Sequence, residues 1–384
     1  MIIKMRWIFF SPVIFILFGG ICFYVGLKIF GFLRYFYPNT KAAFFWILFA
    51  VLCFILLLLI AFRPRFVFLR EFRSLWITIF LYIFMLFALL VMVDLARLVL
   101  HLAGKLPDKF NVYAVGSAFV LCFGLIIYGA SNARLIETVS YNINTNKEIN
   151  NMRIVLISDT HIGSSIGRKH IKRVVDEINR AEPDMVCIAG DIFDGNIDQI
   201  KDLQGVIAEL RKITAPLGVY ACLGNHDVDR RSTEKIVQTL NEANIIVLQD
   251  EVHELPENIY IIGRKEIYPI GIESVRKSTA ELISELDTDS FIIMMDHRPG
   301  QFAQTERLGV DLLLSGHTHN GQIFPGTIVT SAIFKRTGAI SYGHWQGQTM
   351  NAVVTSGAGF WGPPIRIGTQ SEVVVIDIEL GAKN

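Results

Sequence analysis

Four long apolar runs in the first 135 residues set the strongest limit on how this chain can fold. None of the four contains a charged residue, and a helix needs about 20 such residues to cross a bilayer. The runs are Trp7–Leu27, Ala43–Phe62, Leu75–Val93 and Val112–Tyr128. The sequence therefore predicts an all-α membrane domain of about four transmembrane helices over residues 1–135. The first run lacks a convincing cleavage site for a signal peptide, so we expect it to be retained.

The rest of the chain has the composition of a water-soluble domain. Residues 136–152 are polar and rich in Asn, which predicts a linker, and residues 153–384 are long enough for a domain with its own core. Over the whole chain only 18% of residues are charged, against about 25% in typical soluble proteins. The net charge of +1 and the lack of a basic stripe argue against a nucleic-acid partner.

Charge near the predicted spans gives a small bias in orientation. With an even number of spans, the N-terminus and the second domain lie on the same side, and seven Lys and Arg residues flank the spans there against six on the other side. The seven are Lys4, Arg6, Arg63, Arg65, Arg70, Arg73 and Arg134, and the six are Lys28, Arg34, Lys41, Arg97, Lys105 and Lys109. The positive-inside rule then favours a multi-pass protein with a cytoplasmic second domain. Asp94 and Arg97 have helical i,i+3 spacing, and we expect them to neutralise each other.

Five predicted strands in the second domain each end in Asp, Asn or His. The strands Arg153–Ser158, Met185–Ala189, Gly218–Leu223, Phe291–Met295 and Leu312–Ser315 are followed by Asp-Thr-His, Gly-Asp-Ile-Phe-Asp, Gly-Asn-His-Asp, Asp-His and Gly-His-Thr-His. A single His after a strand is usually a solvated loop residue. In α/β sheets, however, ligands bind outside the carboxyl ends of the strands. Five such ends in succession therefore predict one shared site.

The residue types at these strand ends indicate a pair of divalent metal ions. Mixed Asp, Asn and His ligands suit Mn, Fe, Zn or Co, and Mn is our first choice. The five cysteines show no paired spacing, so neither a thiolate site nor a disulfide framework is indicated. Seven candidate ligands are too many for one ion but fit two if one carboxylate bridges them. The candidates are Asp159, His161, Asp191, Asn225, His297, His317 and His319.

Taken together, the motifs DTH, GDIFD, GNHD, a lone H and GHTH resemble the calcineurin-like metallophosphoesterase superfamily, over about residues 153–380. The resemblance implies a four-layer α/β/β/α sandwich and two metal sites that share Asp191. One ion would be bound by Asp159, His161, Asp191 and His319, and the other by Asp191, Asn225, His297 and His317. It also implies that His226 is catalytic, that Asp227 orients the His226 imidazole, and that Asp194 supports the site without binding metal.

A Gly- and Pro-rich stretch at residues 357–368, together with the membrane helices, resembles the membrane-associated subgroup of that superfamily. Some of its members hydrolyse the pyrophosphate of a nucleotide-linked acylated glucosamine, which implies a lipidic, phosphate-containing substrate. Asn320 departs from the glycine that often follows GHTH, and this bears on substrate fit. Arg298 and Arg366 are candidates for binding the substrate phosphate. For both, an ordinary structural role is an equal alternative.

The sequence thus predicts a membrane-bound two-metal phosphoesterase. It would hydrolyse a phosphodiester or pyrophosphate bond with a metal-bridging hydroxide, and the lipid bilayer would be its partner. One alternative is a non-catalytic metal-binding scaffold, although such proteins normally lose ligands and none is missing here. Another is a membrane transporter or sensor regulated by the second domain, although the spans show no polar pathway beyond Asp94 and Arg97.

Overall fold

In a computed structural model, the structure describes residues 12–61, 73–194, 197–228, 232–267, 275–287 and 289–380. The contacts divide the chain into two compact units, Met1–Ala130 and Ser131–Asn384. The boundary lies a few residues before the one predicted at residue 135.

Among the described residues, four helices precede the first strand: α1 (Pro12–Phe36), α2 (Ala42–Ala61), α3 (Arg73–Leu102) and α4 (Phe110–Asn132). Three of them are long and apolar enough to cross a membrane, over Ile16–Phe36, Thr78–Leu102 and Phe110–Asn132. The second predicted span gives a shorter apolar stretch, Ala42–Ile55. The sequence predicts about four spans, and among the described residues three helices are candidates to cross a membrane. Residues 7–11 and 62, at the ends of two predicted spans, lie outside the described residues.

The charged group on α3 has a different partner from the one that we expected. The Asp94 carboxylate forms an ion pair with Lys28 on α1, and it accepts a hydrogen bond of 2.6 Å from the Tyr24 hydroxyl. The expected pairing of Asp94 with Arg97 relied on i,i+3 spacing within one helix. Packing of α1 against α3 instead supplies both groups that contact the carboxylate.

The second unit begins with a strand where we predicted a linker. Residues Ile136–Thr145 form β1, which pairs in parallel with β12 (Ser371–Leu380) along its whole length. Its register places Ile136 opposite Ser371 and Thr145 opposite Leu380. The linker prediction for residues 136–152 is therefore wrong over β1. An edge strand needs little apolar sequence because backbone hydrogen bonds to its neighbour hold it in place.

The first of two six-stranded sheets has the order β1-β12-β2-β3-β4-β5. Its remaining strands are β2 (Met152–Ile157), β3 (Met185–Ala189), β4 (Val219–Cys222) and β5 (Ile246–Val247), which run parallel to one another, whereas β12 is antiparallel to β2. The helices α5 (Arg168–Arg180), α6 (Leu203–Leu210) and α7 (Thr233–Glu242) connect these parallel strands. This is the alternating arrangement that the sequence pattern predicts for a parallel sheet.

The second sheet has the order β10-β11-β9-β8-β7-β6. It comprises β6 (Glu251–Leu255), β7 (Ile259–Gly263), β8 (Phe291–Met295), β9 (Leu312–Ser315), β10 (Gly343–Gln346) and β11 (Asn351–Val354). Its helices are α8 (Thr279–Ile283), α9 (Phe302–Arg307) and α10 (Gly326–Arg336). The strands β7, β8, β9 and β11 are parallel, and β6 and β10 are antiparallel edge strands.

Alternating side chains build the layers. In β2, Ile154 and Leu156 face a core shared with the second sheet, whereas Val155 and Ile157 face a core shared with α5, α6 and α7. The opposite face of the second sheet packs against α8, α9 and part of α10. Successive residues of a strand point to opposite faces of the sheet, and both faces of each sheet are therefore buried. The predicted α/β/β/α sandwich is confirmed.

Candidate metal centre

The loops after five parallel strands bring their polar side chains together. Three overlapping groups of ligand atoms each lie within 4.8 Å. The groups are Asp159, His161 and His319; His161, Asp191 and His226; and Asp191, His297 and His317. Six of the seven predicted metal ligands therefore meet in one place, as expected when the carboxyl ends of parallel strands share one edge.

The first group surrounds Asp159, which directly follows β2. The Oδ1 atom of Asp159 lies 3.4 Å from His319 Nε2 and 3.8 Å from His161 Nε2. The two Nε2 atoms are 3.0 Å apart. The other carboxylate oxygen, Oδ2, accepts hydrogen bonds from the Ser158 hydroxyl and from the His317 backbone N–H. One oxygen is thus fixed by the protein, and the other points at two imidazoles.

Asp191 lies between the first group and the third. Its Oδ2 atom is 3.2 Å from His297 Nε2 and 3.9 Å from His161 Nε2. Its Oδ1 atom accepts a hydrogen bond of 2.8 Å from the backbone N–H of His226. The His317 ring packs 5.0 Å from the His297 ring. Among the described residues, Asp191 is a carboxylate that lies near an imidazole of each group, which is the arrangement that a bridging ligand needs.

The unpaired atoms of the site match a cation. Asp159 Oδ1, Asn225 Oδ1 and His297 Nε2 are buried and have no hydrogen-bond partner. His297 Nδ1 lies 2.8 Å from the Ala189 carbonyl. A carbonyl only accepts, so Nδ1 carries a proton, and Nε2 is the nitrogen that faces the Asp191 carboxylate. Buried carboxylate oxygens are costly unless a positive charge, either a metal ion or an imidazole proton, lies beside them. Asn225 thus has an unpaired buried oxygen, as a ligand would, and the donor set fits divalent metal ions.

The pKa values of the histidines at the site also favour a bound cation. Burial lowers the pKa of His161 to about 4 and that of His317 to about 3, so both imidazoles are neutral and have a free lone pair. At His297, burial disfavours the charged ring, but the neighbouring Asp191 outweighs it and raises the pKa to about 10. The buried carboxylates are thus stabilised by a positive charge nearby. The neutral rings of His161 and His317 are in the form that binds metal.

The backbone at these loops has an unusual conformation. Five of the predicted ligands have positive φ angles: Asp159 (53°), His161 (43°), Asp191 (50°), His317 (71°) and His319 (48°). A residue other than glycine held there costs about 1–3 kcal/mol. Gly190 also has positive φ, and a Cβ on it would lie 2.8 Å from His297 Nδ1. The sequence does not predict these positive φ angles, which occur at five side chains that converge on the site.

His226 lies at the open side of the site. Its ring is 4.9 Å from the His161 ring, and its side chain is 28% exposed. The His226 Nδ1 atom lies 3.2 Å from Asp194 Oδ1, which leaves Nε2 as the ring nitrogen available to a substrate. The predicted supporting position of Asp194 agrees with this contact.

Asp227 does not orient His226, contrary to our expectation. Its buried carboxylate accepts backbone hydrogen bonds from Ile192 (3.1 Å), Phe193 (2.8 Å) and Gly224 (2.9 Å). Asp227 therefore ties the loop after β3 to the loop after β4. The prediction failed because the chain turns after Gly224, so that the side chains of His226 and Asp227 point in different directions.

The two arginines proposed to bind substrate differ in position. Arg298 is half exposed and forms an ion pair of 3.0 Å with Glu266, so its predicted role stays a prediction. Arg366 is fully buried, and its Nη2 atom donates to the carbonyls of Ser356 (2.6 Å) and Gly359 (2.7 Å). The prediction that Arg366 contacts the substrate directly is therefore wrong. Arg366 also lies 3.4 Å from His319 Nδ1, behind the site.

Replacing Arg366 with Ala should destabilise the second unit by about 3 kcal/mol or more, because buried carbonyls would lose their donors. We expect a lower midpoint of thermal unfolding, measured by circular dichroism on the full-length protein. Arg307→Ala, on an exposed position at the end of α9, is the matched control and should leave the midpoint unchanged. An Arg366→Ala protein with an unchanged midpoint and a raised KM would instead indicate substrate binding.

Comparisons with known proteins agree with this geometry. A family model described as calcineurin-like phosphoesterase matches residues 152–321. A transmembrane protein with metallophosphoesterase domain from Danio rerio is 31% identical over 323 residues, which cover 77% of this chain and 70% of that protein. An uncharacterized metallophosphoesterase from Campylobacter jejuni is 28% identical over 292 residues, covering 74% of this chain and 76% of the relative.

Among solved structures, a 5'-nucleotidase precursor from Thermus thermophilus matches with a TM-score of 0.35 and 15% identity. The match covers 59% of this chain and 55% of that protein. This chain therefore corresponds to little more than half of the length of the Thermus protein.

Proposed function

This chain belongs to the calcineurin-like metallophosphoesterase family, and from that premise we propose that it hydrolyses a phosphodiester or pyrophosphate bond of a lipid-linked substrate. The family relationship itself supports a metal-dependent hydrolase of phosphoesters with a dinuclear divalent metal site. The reaction type, the substrate and the preference for Mn go beyond it. The position of Asp191 between two groups of imidazoles is the observation that carries the proposal.

The side chains divide naturally between two ions. Asp159, His161 and His319 would hold one, Asn225, His297 and His317 the other, and Asp191 would bridge them. When bound, such a pair of ions activates water for attack at phosphorus and neutralises charge on the phosphate. The unpaired oxygens of Asp159 and Asn225 and the unpaired Nε2 of His297 support this division.

The protein's own groups would complete the reaction. Asp194 holds Nδ1 of His226, so that Nε2 can donate a proton to the oxygen of the leaving group. Arg298 is half exposed and directly follows His297 in the sequence, and its guanidinium would contact the phosphate of the substrate. The carboxylate of Asp227 keeps the loops after β3 and β4 in register, and this holds Asp191 and His226 in place relative to each other.

Membrane association supports a substrate that resides in the bilayer. Three apolar helices and a transmembrane relative indicate that this chain is associated with a membrane. We infer a multi-pass anchor with the catalytic unit on the cytoplasmic side, on the basis of the seven-to-six excess of Lys and Arg that four spans, with α2 as the second, would give. The exposed Trp361, whose ring lies 6.2 Å from that of His226, offers an apolar contact beside the site.

Metal removal tests the function directly. The purified full-length protein should contain close to two divalent ions per chain by elemental analysis. Treatment with EDTA should reduce hydrolysis of methyl 4-nitrophenyl phosphate by at least about a hundredfold, and added Mn²⁺ should restore it. Bound metal without turnover of diesters, nucleotide-sugar lipids or phospholipids would favour the non-catalytic scaffold. Absence of bound metal would contradict the proposed site.

A further inference from the structure

The helix α10 exposes an apolar surface next to the metal centre. Within α10 no residue is buried, and Ile328, Val329 and Ile333 are each more than half exposed. Phe324, just before the helix, and Trp361, on a neighbouring loop, are exposed to a similar degree. We call these five side chains the apolar platform: Phe324, Ile328, Val329, Ile333 and Trp361. Clustered large apolar side chains on a surface mark an interaction site, whereas isolated ones do not.

The helix is anchored to the domain by only one side. Phe334 packs against the outer core of the second sheet. Val329 and Ile333 are four residues apart and therefore share a face, as do Ile328 and Ala332. This outward face carries apolar residues where a helix at a water-facing surface normally carries polar ones. Several large apolar side chains of this helix are thus turned away from the protein.

Charge around the platform is one-sided. Lys335 and Arg336 occupy the last turn of α10, and both are exposed. The sequence contains no Asp or Glu between Asp311 and Glu372. An apolar helix with basic residues in its last turn and no acidic residue in its own segment is complementary to a bilayer with anionic lipids.

The platform and the metal centre share one turn of the chain. His319 begins the turn His319–Gly321, and Gly321 lies so close to Gly326 that a Cβ on Gly321 would overlap the first residue of α10. Gln322 follows this turn and exchanges two hydrogen bonds with the backbone of Trp361 (2.8 and 2.9 Å). The ring of Trp361 in turn lies beside His226. A membrane contact at the platform would therefore lie at the rim of the catalytic site.

We propose that the apolar platform docks onto the phospholipid bilayer and brings the metal centre to lipid headgroups. A bilayer would be joined to the second unit by a short connection, since the candidate span α4 ends at Asn132 and β1 begins at Ile136. Ile, Val, Phe and Trp side chains suit the boundary between headgroups and acyl chains. The consequence for substrate class, an amphiphile whose phosphate lies at that boundary, rests on the proposed function. The docking itself does not.

Fluorescence on the full-length protein in lipid nanodiscs tests the docking. All five native cysteines are buried, so a cysteine introduced by Val329→Cys can be labelled selectively with the environment-sensitive fluorophore NBD. Nanodiscs of phosphatidylcholine and phosphatidylglycerol with brominated acyl chains should quench this label by roughly half. The control is Ile246→Cys on the exposed edge strand β5, where we expect no quenching by the brominated lipids.

Two outcomes would overturn the proposal. Equal access of aqueous iodide to labels at positions 329 and 246 would show that the platform is free in water. Protection of the 329 label from both iodide and brominated lipids would show that protein, such as a second copy of the chain, covers it.

A paired activity measurement tests the consequence for the substrate. The double variant Val329→Asp/Ile333→Asp should hydrolyse hexadecyl 4-nitrophenyl phosphate embedded in nanodiscs about tenfold more slowly than the unmodified protein. Its hydrolysis of soluble methyl 4-nitrophenyl phosphate should be unchanged, which also shows that the variant is folded. Equal rates on the embedded diester would overturn the role of the platform in substrate access. If the unmodified protein cleaved neither diester, the proposed function would fail, and the quenching result would still decide whether the platform docks.

Discussion

Replacing Asp191 with Asn should lower kcat/KM for an aryl phosphodiester by at least about a thousandfold. One Asp191 oxygen lies 3.2 Å from His297 Nε2 and 3.9 Å from His161 Nε2, so this carboxylate is the shared element of both proposed ion sites. The amide keeps nearly the same shape but loses the negative charge, and its NH₂ group cannot bind a cation. The expected loss is therefore one of metal affinity as well as of rate.

Elemental analysis and turnover on the same sample would separate these effects. We expect Asp191→Asn to retain fewer than two ions per chain and to recover little activity with excess Mn²⁺. Asp176→Asn is the matched control, because Asp176 lies on α5 in an exposed ion pair with Lys172, and such pairs contribute little. Undiminished hydrolysis by Asp191→Asn would show that the ions, if present, are not bridged by this residue.

The second large effect is expected at His226. His226→Ala should lower kcat by about a hundredfold to ten-thousandfold, the range for loss of a general acid, while the metal content stays at the level of the unmodified protein. The reason is position: the ring is partly exposed, held at Nδ1 by Asp194, and adjacent to His161. A group that protonates the leaving oxygen does not need to bind the ions.

The leaving group distinguishes proton donation from other roles. 4-Nitrophenolate leaves without much help from an acid, so His226→Ala should be less harmful with that leaving group than with an alkyl alcohol. His253→Ala is the control, because His253 lies on β6 and packs against Tyr220. Equal losses for both leaving groups would rule out proton transfer, and loss of metal would make His226 a ligand.

The metal site was predictable because its signals are local. Each strand end places a ligand within two or three residues of a short apolar run, as with Ile157 and Asp159, and parallel strands bring such ends together. The direction of each side chain depends on the turn, which the sequence does not reveal. His226 is followed in sequence by Asp227, and only the structure shows that Asp194 contacts its ring whereas the Asp227 carboxylate accepts hydrogen bonds from backbone N–H groups.

The other misses have similar physical causes. The segment Ile136–Thr145 looks polar because it forms an edge strand, and its structure depends on a partner more than 200 residues later in the sequence. Arg366 has the charge of a phosphate ligand, and only its complete burial among backbone carbonyls excludes that role. The exposure of α10 could not be predicted from the sequence either, since its apolar residues are also consistent with a helix packed in a core.

The position of β12 between β1 and β2 has a consequence for biosynthesis. The apolar helices are synthesised early, yet β1 pairs with a strand that the ribosome makes near residue 380. Until then β1 and one edge of β2 present unpaired backbone groups, which are prone to wrong association. The second unit therefore cannot complete its first sheet until β12 has been synthesised, and molecular chaperones have their longest opportunity to act on it before that point.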